Sequence, residues 1–164
     1  MIVTITQLEA ASAHNVIPDR AVLKGTIRTL TPERRRDVWN AIQTLAENIA
    51  QAHECDADVT VTQGFPPTVN DPRAVGLAEA VATSLPHGEY RNLEAPIMGA
   101  EDFSYVLEKV PGMMAFLGVA ESGSKWQQCC SIHSSHMMVD ETVLPRGTAF
   151  LAGCATRFLE RGWE

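Results

Sequence analysis

The sequence predicts an α/β fold in two parts, a small antiparallel sheet with one helix and a following segment of α/β type. Between residues 2 and 63 the patterns run strand, strand, helix, strand, which is an incomplete βαββαβ sandwich without its first strand and helix. From residue 72 onward, helix patterns alternate with a strand pattern, as in the sheet of an α/β domain.

Two strands are predicted at the start of the chain. Residues 2–8 and 21–30 are rich in β-branched and apolar side chains and show partial alternation. In the second segment Leu23 and Ile27 fall on one face of the strand, and Arg28 falls on the other. These strands form the predicted antiparallel sheet.

A long amphipathic helix is predicted next. Thr31-Pro32-Glu33 supplies a hydroxyl N-cap, a proline at the first helical position and an acid in the first turn. The alternation of valine and threonine in residues 58–63 predicts a half-buried strand after the helix. Apolar residues recur at helical spacing up to about His53 and form one stripe: Val38, Ile42, Leu45, Ile49 and Ala52.

Residues 64–72 mark a predicted boundary between domains. The stretch contains three prolines, a glycine and an Asn-Asp pair, a composition typical of a linker. It divides the chain into a first domain of residues 1–69 and a second of residues 70–164. In the second domain we expect helices at 72–85, 100–110 and 145–161, a buried strand at 113–119, and an irregular loop at 121–136.

Composition excludes several classes of partner. The net charge is −7, and the one basic cluster, Arg34–Arg36, lies at a helix start between acids, so nucleic acid is not an expected partner. No apolar run approaches the length of a membrane span, and no membrane partner is expected. The four cysteines match no zinc or redox spacing, which favours idle thiols in a reducing cytoplasm.

Asn15 and Arg28 are candidates for binding a carboxylate. An amide and a guanidinium on neighbouring strands can grip this group, and the arginine fork donates two parallel hydrogen bonds. Asparagine is also favoured before a tight turn for its backbone conformation alone. Arg28 could equally be a solvated residue on the outer face of its strand, so the sequence leaves both interpretations open.

The segment Gly99-Ala100-Glu101-Asp102-Phe103 follows an apolar loop and opens a predicted helix. A helix N-terminus presents free N–H groups and the positive end of the helix dipole, which suit an anion or a developing oxyanion. The alternative is that Glu101 and Asp102 only stabilise the first turn of the helix.

His133 and His136 lie three residues apart in a predicted loop. The serines between them do not favour a helical His-x-x-His pair, and the neighbouring methionines do not complete a metal site. Structural zinc needs four protein ligands and catalytic zinc about three. We therefore expect at most a single metal ligand here, and no complete metal site within the chain.

Four segments occur in a characteristic order: Asn15–Asp19, Gly25–Thr29, Met98–Ser104, and His133 with acids downstream at Asp140-Glu141. In this order and at these separations they resemble the last part of the hippurate hydrolase and aminoacylase family of dinuclear-metal amidohydrolases. The resemblance covers nearly the whole chain. It implies that residues 1–69 are part of a lid and dimerisation domain, and that residues 70–164 end the catalytic domain.

The resemblance implies roles for five residues. His133 would ligate one of a pair of divalent metal ions, zinc, manganese or similar. Asn15 and Arg28 would bind the free carboxylate of an N-acyl amino acid or small peptide substrate. Gly99 and Glu101 would line the substrate pocket.

The resemblance also implies that most of the catalytic machinery lies upstream of this chain. In the family two metal ions hold a bridging water and a glutamate removes its proton; that glutamate and the other ligands precede the matched region. We therefore expect a truncated amidohydrolase with no catalytic residue of its own, inactive alone or working beside a separate N-terminal half, and forming a homodimer through the lid. The alternatives are a non-catalytic dimerisation module and a carboxylate-binding module.

Overall fold

The computed structural model describes residues 1–121, 123–125 and 132–163 of the chain. They divide into two compact units. The first unit comprises Met1–Pro67 together with Ala95–Tyr105, and the second comprises Thr68–Glu94 and Val106–Glu164. The assignment of residues 1–69 and 70–164 to two domains of a larger enzyme stays a prediction.

The first unit contains the predicted antiparallel sheet. Strands β1 (Ile2–Glu9) and β2 (Val22–Arg28) pair so that Ile2 lies opposite Arg28 and Ile5 opposite Gly25. The register shifts between Ile5 and Gln7, which marks a bulge in β1. Antiparallel pairing and an α/β composition are confirmed.

Helix α1 (Pro32–Ala52) begins where the sequence places it. The Thr31 hydroxyl accepts a hydrogen bond from the backbone N–H of Arg34 at 3.2 Å, which satisfies one free donor of the first turn. Val38 is buried, but Leu45 and Ile49 farther along the same stripe are 61% and 54% exposed. The apolar face of α1 is therefore only partly covered in this chain.

The second unit is built on two helices that pack together. Helix α2 (Pro72–Ser84) starts at the N-cap Asp71 and buries one apolar face, consisting of Ala74, Leu77, Ala78 and Val81. A 3₁₀ turn (Glu141–Val143) leads into the second long helix of this unit, Leu144–Arg161, as predicted. A Cβ added at Gly153 of that helix would lie 2.8 Å from Val81 Cγ1, so a glycine is what allows the close approach.

Two predicted strands are wrong. Residues 58–63 and 113–119 carry the alternating or apolar patterns of strands, but the one sheet in the described part of the chain contains only β1 and β2. The backbone of the second segment bonds to other partners, because the side chain of Asn70 occupies both the N–H and the C=O of Met114. An extended conformation becomes a strand only when a neighbouring strand pairs with it.

The helix predicted over residues 100–110 is also wrong in length, because helix α3 spans only Ser104–Leu107. A single turn is too short to carry the summed dipole on which the anion-binding argument rested. The predicted loop at 121–136 lies partly outside the described residues, including Cys129 and Cys130. The helix Leu144–Arg161 is named α4 below. None of the helices described is long and apolar enough to cross a membrane.

Candidate functional site

Arg28 is held at the end of β2 by a contact with a distant segment. Its side chain is half-buried, and Nη1 donates a hydrogen bond to the backbone carbonyl of Met98, seventy residues along the chain. No other hydrogen bond or ion pair of this guanidinium occurs within the described residues. Arg28 is therefore not a freely solvated strand arginine, because one of its nitrogens is hydrogen-bonded.

Glu101 orders a local turn at the far end of the segment that follows Met98. The Glu101 carboxylate accepts a hydrogen bond from the backbone N–H of Phe103 at 3.1 Å. Its backbone carbonyl accepts one from the hydroxyl of Ser104 at 2.6 Å, and Ser104 is completely buried. Glu101 thus organises the turn before α3, and one of its carboxylate oxygens is already used.

Gly99 lies between these two anchoring points. A Cβ at this position would meet only the Ile97 side chain, at 3.7 Å, so the protein itself leaves room for a side chain there. A glycine that packing does not require is typical of a place where a ligand approaches the backbone closely. The position of Gly99 beside the carbonyl held by Arg28 agrees with that interpretation.

Asn15 belongs to the same unit as Arg28. It sits in the turn in which the backbone N–H of Val16 bonds to the carbonyl of Ala13 at 2.9 Å, within the connection between β1 and β2. Its side chain is exposed and no hydrogen bond joins it to Arg28 in the described part of the chain. A hydrogen bond therefore links Arg28 to the segment of Gly99 and Glu101, and a role of Asn15 beside them stays a prediction.

His133 belongs to the second unit. It is exposed and has a φ of +70°, a left-handed conformation uncommon for a residue with a side chain. The backbone N–H of His136 bonds to the hydroxyl of Ser134 at 3.1 Å, so His136 is placed by local turn geometry. Across residues 1–121, 123–125 and 132–163, no group of three or more histidine, cysteine or acidic side chains is placed to hold a metal ion.

The acid downstream of His133 has a structural role of its own. Asp140 accepts hydrogen bonds from the backbone N–H and the hydroxyl of Thr142, at 3.0 and 2.6 Å, and so caps the 3₁₀ turn before α4. These bonds, the hydroxyl one first, hold the pKa of the Asp140 carboxyl below its usual value. The carboxylate stays charged and fixes the start of the last helix.

Two features of the site escaped the sequence analysis. The first is the Met98 carbonyl, a backbone atom that no residue pattern singles out. The second is Ser104, whose buried hydroxyl donates a hydrogen bond to the backbone carbonyl of Glu101. Its position three residues after an acid in Glu101-Asp102-Phe103-Ser104 is a recognisable local hydrogen-bonding pattern, and it could have been found from the sequence.

The whole-chain comparison decides the family. The sequence profile of Peptidase family M20/M25/M40 matches residues 3–157. The chain belongs to this family. The predicted resemblance to metal-dependent amidohydrolases is thereby confirmed.

Three similar relatives are named as two deacetylases and one amino acid hydrolase. The chain is 35% identical over 154 residues to N-acetyldiaminopimelate deacetylase of Enterococcus faecalis, covering 93% of this chain and 38% of that protein. It is 32% identical to IAA-amino acid hydrolase ILR1-like 2 of Arabidopsis thaliana, covering 97% and 36%. It is 32% identical to N-acetyl-L-cysteine deacetylase of Bacillus subtilis, covering 99% and 37%.

A solved structure shares the fold. The Bacillus subtilis YxeP protein, described as a dinuclear metal binding peptidase from the M20 family, superposes with a TM-score of 0.81 at 30% identity. The match covers 97% of this chain and 42% of that one. The chain spans little more than a third of the length of the curated relatives it matches.

Proposed function

We propose that this chain supplies substrate-carboxylate recognition and one metal ligand to a metal-dependent amidohydrolase that acts on N-acyl amino acids or small peptides. The observation that carries the proposal is the position of Arg28. It is half-buried at the end of β2 and bonded to the carbonyl next to Gly99, in a segment that resembles a pocket-lining loop of the family. We also propose a cytoplasmic location, since free thiols such as those of Cys55 and Cys154 suit a reducing compartment.

The chemistry of the guanidinium fits this role. Nη1 of Arg28 is engaged by Met98, and the opposite edge, formed by Nε and Nη2, carries two parallel N–H bonds. That edge can donate one hydrogen bond to each oxygen of a carboxylate, which gives a bidentate pair. Gly99, immediately after Met98, leaves the backbone open to the same ligand.

The described residues do not fit a complete metal centre. His133 would offer one imidazole to a divalent ion such as zinc or manganese, and the part of the chain that the structure describes holds no cluster of three ligands. Bound metal ions would supply the activated water of the family's reaction. We propose that the remaining ligands and the general base come from outside residues 1–164, so this stretch alone hydrolyses no N-acyl amino acid.

A chimera tests the proposal. Residues 1–164 would replace the matched region of the N-acetyl-L-cysteine deacetylase of Bacillus subtilis, which aligns over 99% of this chain. In that protein Arg28→Lys keeps the charge but loses the fork. Because a charge-assisted hydrogen bond contributes about 1.5–3 kcal/mol, the preference for an N-acetyl amino acid over its primary amide should fall by about 10- to 100-fold.

Two controls make the result specific. Arg20→Lys makes the same change at an exposed arginine of the same unit and should leave the preference unchanged. His133→Ala should lower the metal content measured by mass spectrometry, whereas Arg28→Lys should not. An Arg28→Lys variant with the preference of the parent would show that this arginine does not recognise the carboxylate.

Homodimerisation through residues 1–69 is the second part of the proposal. It is favoured by the exposed apolar stripe of α1, where Leu45 and Ile49 are mostly uncovered, and by the unpaired edges of a two-stranded sheet. Light scattering should give twice the monomer mass, and Leu45→Glu should shift it towards the monomer. A monomer at high concentration would contradict dimerisation without touching the carboxylate proposal.

A further inference from the structure

Residues 98–104 form a short segment that is bonded to β2 at one end and ordered by its own turn at the other. At the first end the Met98 carbonyl accepts a hydrogen bond from Arg28 Nη1. At the other end, within the segment, Glu101 accepts bonds from the backbone N–H of Phe103 and the buried hydroxyl of Ser104. Between these points the exposed Gly99 and Ala100 have no regular secondary structure to hold them.

The tie at Met98 depends on a single side chain. Arg28 belongs to strand β2, and the pairing of β2 with β1 fixes the backbone of Arg28. The guanidinium is therefore attached to the sheet, and its hydrogen bond holds the loop. In the described residues the Met98 carbonyl is the one point at which a side chain of the sheet bonds to residues 98–104. Loss of this bond would leave that end of the segment without its link to β2.

We propose that Arg28 is a positioning residue for the Met98–Glu101 segment, in addition to the carboxylate ligand on which the proposed function rests. One guanidinium holds the Met98 carbonyl through Nη1 and presents the Nε and Nη2 edge to the substrate. A carboxylate bound on that edge immobilises the guanidinium, and the immobilised guanidinium holds the segment more firmly. Recognition of the carboxylate and placement of Gly99 are thereby coupled through one side chain.

Hydrogen exchange in the absence of substrate tests the positioning role. In the 164-residue chain, Arg28→Met removes the donor while preserving much of the apolar stem. The backbone amides of Phe103 and Ser104 should then exchange about ten-fold faster or more, which is the value of one hydrogen bond from a charged donor. Arg20→Met is the matched control, and the amides of the β1–β2 ladder should keep their protection in both variants.

The same exchange measurement with a ligand added distinguishes this inference from the proposed function. N-acetylglycine should slow exchange of the same two amides in the parent chain, and its primary amide should not. Faster exchange in Arg28→Met without an effect of N-acetylglycine would support positioning and contradict carboxylate binding by the chain. Unchanged exchange in Arg28→Met, with the β1–β2 ladder intact, would overturn the positioning role whatever the ligand does.

Turnover in the chimera provides a second readout. If Arg28 only bound the carboxylate, Arg28→Met would raise KM for acids and leave the hydrolysis of primary amides untouched. Because Arg28→Met also removes the donor that holds the Met98 carbonyl, we expect kcat to fall for both substrate classes, in addition to the selective rise in KM for the acid. An unchanged kcat for the amides would contradict the positioning role.

Discussion

The side chain of Asn70 closes two hydrogen bonds onto one residue of a distant segment. Nδ2 donates to the Met114 carbonyl at 3.0 Å, and Oδ1 accepts from the Met114 N–H at 2.9 Å. Both bonds are partly buried, and each contributes about 0.5–1.5 kcal/mol to stability. Asn70→Ala should therefore lower the free energy of unfolding of the second unit by about 1–3 kcal/mol.

A second substitution at the same site distinguishes the two bonds. Asn70→Asp keeps an acceptor for the Met114 N–H but points a carboxylate at the Met114 carbonyl. Repulsion between these oxygens raises the pKa of the introduced carboxyl in the folded state. The penalty is therefore absent below the pKa of the unfolded chain and grows as the pH rises through the folded value. Acid should rescue Asn70→Asp and leave Asn70→Ala unchanged.

The free energy is best measured by native-state hydrogen exchange of the slowest amides in α2, because they report on the second unit alone. Asn92→Ala is the matched control, since Asn92 is exposed and accepts only a long 3.5 Å bond from Tyr90. A loss for Asn70→Ala no greater than that of the control would refute the reasoning. It would mean that water replaces both bonds at little cost.

Three further perturbations follow from local geometry. Asp71 has a pKa of about 2, which is lowered first by its hydrogen bond with the side chain of Arg73. Its stabilising effect is therefore complete above about pH 4 and is lost as the pH falls through 2, and Asp71→Asn should remove this pH dependence from the free energy of unfolding. Gly25→Ala places a Cβ against the backbone carbonyl of Thr4 and should destabilise the β1–β2 pairing by about 1–3 kcal/mol, seen as lost amide protection. Burial raises the pKa of the Cys154 thiol, so iodoacetamide should modify it more slowly than the exposed Cys55, as measured by peptide mass spectrometry.

The three long helices were predictable because their signals are local. The N-caps of α1 and α2 are Thr31 and Asp71, each followed by proline, and both caps make the expected hydrogen bond to the backbone. The two wrong strands had equally clear patterns. A strand needs a partner elsewhere in the chain, and for residues 113–119 the Met114 N–H and C=O are bonded to a side chain instead.

The candidate residues could be selected from the sequence, but their arrangement could not. Motif order selected Arg28, Gly99 and Glu101, and strand alternation placed Arg28 on the face opposite Leu23. No local rule indicates that a guanidinium in β2 bonds to a carbonyl seventy residues later. That contact depends on the return of Ala95–Tyr105 to the first unit, which is a property of the whole fold.

The candidate functional residues fall into two groups, one in each unit. Asn15, Arg28, Gly99 and Glu101 all belong to the first unit, which is assembled from two separate stretches of chain, whereas His133 belongs to the second. The candidate carboxylate-binding residues are thus in one unit, and the candidate metal ligand is in the other. Because Arg28 and His133 are proposed to bind different groups, their substitutions should act on different properties, carboxylate preference and metal content. If both proposals hold, each property should be altered by one substitution without the other.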